Sequence, residues 1–127
     1  MDIVIRDIGG VLKYFVVKAA KKWVSKNLNL KYFKEELEKE LNLTSLGGGL
    51  YKIRSRSEST GKSGGYRVVL ALKKGQKCFI VYGFGKNIKT NISKDELKAL
   101  KVISKRLLNL SEDELKKYIK KKEIFRL

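Results

Sequence analysis

An α+β domain is the fold class this sequence predicts, on three observations. β-branched and aromatic runs and helical patterns come in the order β-α-α-β-β-β-α-α, not in repeating βαβ units. The three consecutive strand-like runs are joined by glycine-rich or turn-like segments, as in an antiparallel sheet. A chain of 127 residues with 43% hydrophobic content is enough for one core, so a single domain, 1–127, is expected.

Residues 1–12, opening MDIVIRDIGG, read as a peripheral extension, part of it strand-like. KYFVV, residues 13–17, is β-branched and aromatic and predicts a strand. VKAAKKWVSKNL follows with helix formers and places Ala20, Trp23 and Val24 on one face. Asn29 is suited to cap a second helix, in which Phe33, Leu37 and Leu41 recur every four residues. Glu and Lys between them make a solvated face, and the two helices form a hairpin. Three glycines, Gly47 to Gly49, break the helical pattern. The next run, LYKIRSR, alternates so that Lys52, Arg54 and Arg56 share one face and Tyr51 and Ile53 the other. YRVVLAL and KCFIVYGF are two further strands joined by the hairpin turn KKGQK. Ser93 with Glu96, and Ser111 with Glu114, have capping-box spacing and open two C-terminal helices. Residues 50–55, 66–72 and 78–84 are therefore expected in one mostly antiparallel sheet.

Thirty Lys+Arg against thirteen Asp+Glu leave a net charge of +17. Such a balance favours a polyanionic partner: RNA, DNA or an acidic protein segment. Lysine-rich solvated faces are the bland explanation, and the distribution of charge argues against it. Residues 1–51 carry nine cations and six acids, and residues 90–127 carry eleven and six. Residues 52–89 carry ten cations and one acid, Glu58. General lysine enrichment does not empty a central segment of carboxylates, whereas a phosphate-rich ligand favours it.

Other classes recede. No apolar run nears the roughly 20 residues of a membrane span and no leader peptide is expected, so the expectation is a cytoplasmic protein without membrane contact. Cys78, the one cysteine, sits in an apolar run and reads as a small core residue, since no histidine exists to activate it. Lack of histidine also disfavours zinc, and no acidic cluster accompanies the cations, so neither metal nor cofactor is expected.

Gly61-Lys62-Ser63 resembles the end of a nucleotide-binding P-loop, but the motif's first glycine would fall on Arg56. Gly64-Gly65 and a strand follow, where phosphate cradling needs a helix N-terminus. Residues 57–65 are better read as a flexible basic hairpin connection, mobile until RNA binds. It joins the Lys52–Arg54–Arg56 strand to one opening with Tyr66-Arg67, so Arg67 is expected near Lys52 and Arg54. GFGKNIKTN then leaves the third strand with Lys86 and Lys89. Its G-x-G lacks the third glycine and the βαβ setting of a dinucleotide site.

GGGLYKIRSR, GKSGGYRVVLAL and FIVYGFGKN, in that order and spacing, resemble the RelE/ParE toxin superfamily, in particular its HigB-like, phage-associated branch. The resemblance covers residues 13–127. It implies a helical hairpin, a small curved antiparallel sheet and C-terminal helices. It also implies the toxin of a type II toxin–antitoxin system: an endoribonuclease cutting mRNA at the ribosomal A site and inhibiting translation. The implied partners are mRNA, the ribosome and a cognate antitoxin, of helix-turn-helix type with an acidic segment. Carried over residue by residue, the catalytic cations fall on Lys52, Arg54, Arg67 and Lys86. The sequence departs from the family at Asn87, where well-studied members carry arginine, and near Ser93, where they carry an aromatic or histidine side chain.

The chemistry suits these residues. RNA cleaves when its 2′-hydroxyl attacks the adjacent phosphorus, so a catalyst must move protons and stabilise extra negative charge. Arg54 and Arg67 fit the charge-stabilising role, and Lys52 or Lys86 the proton transfers. Arg56, Lys62, Tyr66, Tyr82, Asn87 and Lys89 are the candidate RNA-binding residues, the tyrosines for stacking, although a strand tyrosine is more often core. Lys73, Lys74 and Lys77 fall at a hairpin tip, where they would aid docking without entering the chemistry. A non-catalytic RNA- or DNA-binding protein and a ParE-like, gyrase-directed toxin are the alternatives.

Overall fold

The computed structural model describes residues 12–40, 42–55, 65–89 and 91–127. Strand β1, Lys13–Val17, leads directly into helix α1, Lys18–Asn27. Helix α2, Leu30–Glu38, begins where the Asn29 side chain accepts from the Tyr32 N–H, as the sequence predicts. Four strands follow: β2, Leu43–Gly47; β3, Leu50–Ser55; β4, Tyr66–Lys73; and β5, Lys77–Gly85. Helices α3, Lys94–Leu108, and α4, Glu112–Lys120, both open with complete capping boxes, at Ser93/Glu96 and Ser111/Glu114. A short strand β6, Ile124–Arg126, comes last.

The α+β class holds, and the sheet is larger than expected: six strands in the order β2-β3-β4-β5-β1-β6. β2, β3, β4 and β5 are mutually antiparallel neighbours. β1 runs parallel to β5, with Lys13 opposite Lys77 and Val16 opposite Ile80, which makes the sheet mixed. The long chain between these two strands supplies the crossover that a parallel pair requires. β2 folds back on β3 through Gly47, Gly48 and Gly49, all at positive φ (94°, 64° and 81°), a turn that other residues adopt only under strain. β6 covers the free side of β1.

Each face of the sheet carries its own core. On one face Tyr14, Val16, Ile53, Val68, Leu70, Cys78 and Ile80 pack against Ala20, Val24, Phe33 and Leu37 of the helical hairpin. On the other, Phe15, Leu50, Val69, Ala71, Phe79 and Val81 pack against Leu100, Leu107 and Leu115 of the C-terminal helices. The last turns of α3 lie against the glycine turn, where Ser104 Oγ donates to the Gly48 carbonyl. A Cβ at Gly49 would stand 2.3 Å from Leu108 Cδ1. Cys78 is fully buried, as expected of a core residue, and burial pushes its thiol pKa up, so the thiol stays protonated. Among the described residues no helix is long and apolar enough to cross a membrane.

Arg56, Lys62, Leu41, residues 1–11 and the connection 56–64, with the mobile loop expected there, lie outside the described residues.

Candidate nucleic-acid interface

Cross-strand register builds the site. Lys52 stands opposite Val69 and Arg54 opposite Arg67 between β3 and β4. Val69 and Arg67 in turn stand opposite Tyr82 and Phe84 of β5. Two adjacent rows therefore run across three strands: Lys52–Val69–Tyr82 and Arg54–Arg67–Phe84. Since Val69 belongs to the core beneath α3, both rows occupy the face covered by the C-terminal helices.

Tyr82 and Phe84 reach that face because of an irregularity in β5. The β4–β5 register shifts between Val69 and Leu70, whose partners are Tyr82 and Ile80, leaving Val81 as an extra residue. A single inserted residue reverses the alternation beyond it. Without the bulge Tyr82 and Phe84 would point with Ile80 into the helical-hairpin core. With it, Gly83 takes the hairpin side, where the Trp23 ring lies so close that a Cβ would be 2.2 Å away.

The two arginines differ in setting. Arg54 is exposed, whereas Arg67 is 8% exposed. Burial, reinforced by the neighbouring Arg54 charge, lowers the Arg67 pKa from its ordinary value. Two like charges in directly opposed positions repel, and a bridging anion relieves that repulsion. Lys52 is half-buried one row away.

Beside the arginine row sits a polar cluster. Lys89 Nζ donates to Glu96 Oε1 (2.5 Å), to Glu96 Oε2 (2.6 Å) and to the Tyr82 hydroxyl (3.1 Å). The Tyr82 hydroxyl donates to Glu96 Oε2 at 3.0 Å. The ammonium also stands 5.3 Å from the Tyr82 ring centroid and 5.6 Å from that of Phe84. Lys89, the Ser93 backbone N–H and Tyr82 together hold the Glu96 carboxyl down at about 2. The same hydrogen bonds, Glu96 first, raise the pKa of Lys89.

Of the sequence candidates, the structure thus brings together Lys52, Arg54, Arg67 and Tyr82, with Lys89 alongside. Tyr66 is placed apart: it lies on the opposite face, edge-on to Trp23 at 5.3 Å between centroids. Asn87 folds its amide back toward Gly85, the cross-strand partner of Tyr66. Lys86 is exposed in the turn after β5, its backbone N–H bonded to the Gly65 carbonyl, so it stands where the connection from β3 re-enters β4. Phe84 and Glu96 were not among the candidates. Glu96 was legible only as a helix cap, and Phe84 only as a core strand residue.

Of the tip lysines, Lys73 is exposed, and Lys74 lies 3.8 Å from Glu40. Lys74 and Lys77 each pair with a carboxylate, but the Lys77 side chain is far less exposed (14% against 61%), and its pairing with Glu112 ties β5 to the start of α4. Among the described residues no group of three or more His, Cys, Asp or Glu is placed to hold a metal ion.

No curated protein matches the chain. The family model described as the RelE toxin of the RelE/RelB toxin–antitoxin system matches residues 12–127, which takes in every element described above. Nearly the whole chain being matched, with the α+β fold that the resemblance implied, this protein belongs to the RelE toxin family.

Proposed function

We propose that this toxin is an endoribonuclease that cuts mRNA at the ribosomal A site, with Arg54 and Arg67 holding the scissile phosphate. The observation that carries the reading is their opposed placement, one exposed and one buried, on a face with an aromatic residue in each row. Two opposed arginines on one face support an anion-binding reading, because a phosphate between them would relieve their mutual repulsion. Preorganised donors of this kind act on charge that develops in a transition state.

In the proposed reaction the 2′-oxygen bonds to the adjacent phosphorus and the bond to the 5′-oxygen breaks. The products are a 2′,3′-cyclic phosphate and a free 5′-hydroxyl. One proton leaves the 2′-hydroxyl and one is delivered to the 5′-oxygen. Lys52, one row from the arginines, and Lys86, past the end of β5, are the proposed proton carriers. Tyr82, half-buried, offers ring surface to a base in the Lys52 row, while Phe84 is buried beneath the arginine row. The cognate antitoxin is proposed to silence the toxin by laying an acidic segment over this face.

The test is incubation with translating ribosomes, followed by mapping of mRNA ends and of their terminal phosphates. Cleavage inside codons, leaving cyclic phosphate and lost in Arg67→Ala, is expected. RNA bound but left intact would reduce the protein to a binder. Intact RNA combined with inhibited gyrase would move it to the ParE-like class.

A further inference from the structure

We propose that Glu96 withholds the Lys89 ammonium from RNA, its carboxylate standing where a phosphate oxygen would otherwise bind, and so limits how tightly the cationic face holds a strand. The inference rests on reading that face as an RNA site. An ammonium has three N–H donors and no acceptor. Lys89 directs donors at three acceptors, the two oxygens of Glu96 and the hydroxyl of Tyr82, so none remains for a phosphate. Yet the group is well placed to take one. It stands over the ring of Phe84, and Phe84 is the cross-strand partner of Arg67.

Glu96 is fixed in this role from its own side. Its Oε1 accepts the Ser93 N–H at 2.9 Å, and its backbone N–H donates to Ser93 Oγ at 3.1 Å, so the carboxylate is tied to the start of α3. Held near a pKa of about 2, it stays an anion at any pH a cell experiences. A passing phosphate must therefore compete with an internal anion that already has its partners. Such a site favours release of the cut strand over retention.

A simple structural brace between β5 and α3 would have the same geometry, and glutamine separates the two. Gln completes a capping box as Glu does, so Glu96→Gln keeps the helix start and removes only the charge. The experiment measures equilibrium binding of a 2′-O-methyl RNA strand, which cannot be cleaved, across a salt series. It compares the unaltered protein with E96Q, K89Q and the double variant.

E96Q is expected to bind several-fold tighter at low salt. Its log–log salt slope should steepen by about 0.7, the value for one further phosphate on a single strand. K89Q should keep the original slope, and the double variant should match K89Q. Should E96Q fail to fold, Glu96→Ala takes its place in the same salt series, a steeper slope supporting the proposal and an unchanged one refuting it. A flatter slope in K89Q means Lys89 already grips RNA beside Glu96, and E96Q binding like the unaltered protein means the carboxylate is only a brace; either overturns the proposal. If the unaltered protein does not bind RNA, the nuclease reading falls and this inference with it. A loss confined to the variants leaves that reading standing.

Discussion

Arg54 and Arg67 are direct cross-strand partners, and the folded protein keeps these two positive charges side by side although Arg67 is nearly excluded from water. Like charges directly opposed on a sheet destabilise by roughly 0.2–1 kcal/mol. A protein selected for stability alone would place a carboxylate or a threonine at one of the two. Arg54→Thr is therefore expected to raise the unfolding free energy by a few tenths of a kcal/mol while slowing single-turnover cleavage by ~10²–10³-fold, the range for losing one charge-stabilising donor. Chemical denaturation and single-turnover cleavage on saturating ribosomes check the two halves. Undiminished cleavage would sink the proposed clamp.

The tip of the β4–β5 hairpin separates binding from chemistry. Replacing Lys73 and Lys74 with glutamine should weaken RNA binding and flatten its salt dependence, with a near-normal single-turnover rate. Lys77→Gln should leave that slope alone, because the Lys77 side chain is mostly buried and held by Glu112. Equal losses of cleavage from the tip and from Arg54 or Arg67 would point to general adhesion instead of a site.

Trp23 takes the space that a side chain at Gly83 would need. Gly83→Ala should lower stability by ~1–3 kcal/mol, the usual cost of overpacking a filled site. Urea unfolding followed by Trp23 fluorescence measures it. A neutral result would mean that the indole moves aside easily and that the β5 bulge is not held by this contact.

Acid should weaken the fold partly through Glu96. Its carboxyl sits at about 2, below the ordinary value of roughly 4.3. A carboxyl lowered in this way favours the folded state fully above the ordinary value, and the gain disappears as pH falls toward 2. Glu112 and Glu114 are lowered as well, by Lys77 and by the Ser111 cap, so they add to the loss in the same direction. Between about pH 5 and 2, E96Q should lose less stability than the unaltered protein in parallel denaturation series. Identical acid profiles would show that the Lys89–Glu96 contact does not hold in solution.

Local signals explain what the sequence made legible. Asn29, Ser93 and Ser111 cap their helices as read, because caps are short-range devices. Alternation likewise placed Lys52 and Arg54 on one face, and antiparallel pairing of the strands joined by residues 57–65 placed Arg67 beside them. What escaped depends on distant pairing. β6 has three residues and exists as a strand only because β1 offers an edge. β2, LTSLG, carries little strand signal and is held by its return onto β3. The extra residue Val81 decided the rest of the site, since it turned Tyr82 and Phe84 toward the cations. Simple alternation from Cys78 and Ile80 assigns them to the other side. Tyr66, chosen as a stacking candidate beside Arg67, alternates away from it and meets Trp23.

The pairing of β1 with β6 bears on when the sheet can be completed. Val17 is joined to Ile124, and Phe15 to Arg126, across more than a hundred intervening positions. Contacts so far apart in sequence form late and slowly. While the nascent chain is still being translated, β1 has no outer neighbour, and until β5 emerges it has no inner one either. The cationic rows on β3, β4 and β5 sit on a sheet whose frame closes only when the residues near 124 have been synthesised. A chain released before those residues would keep β3, β4 and β5 paired with one another yet leave the outer side of β1 open.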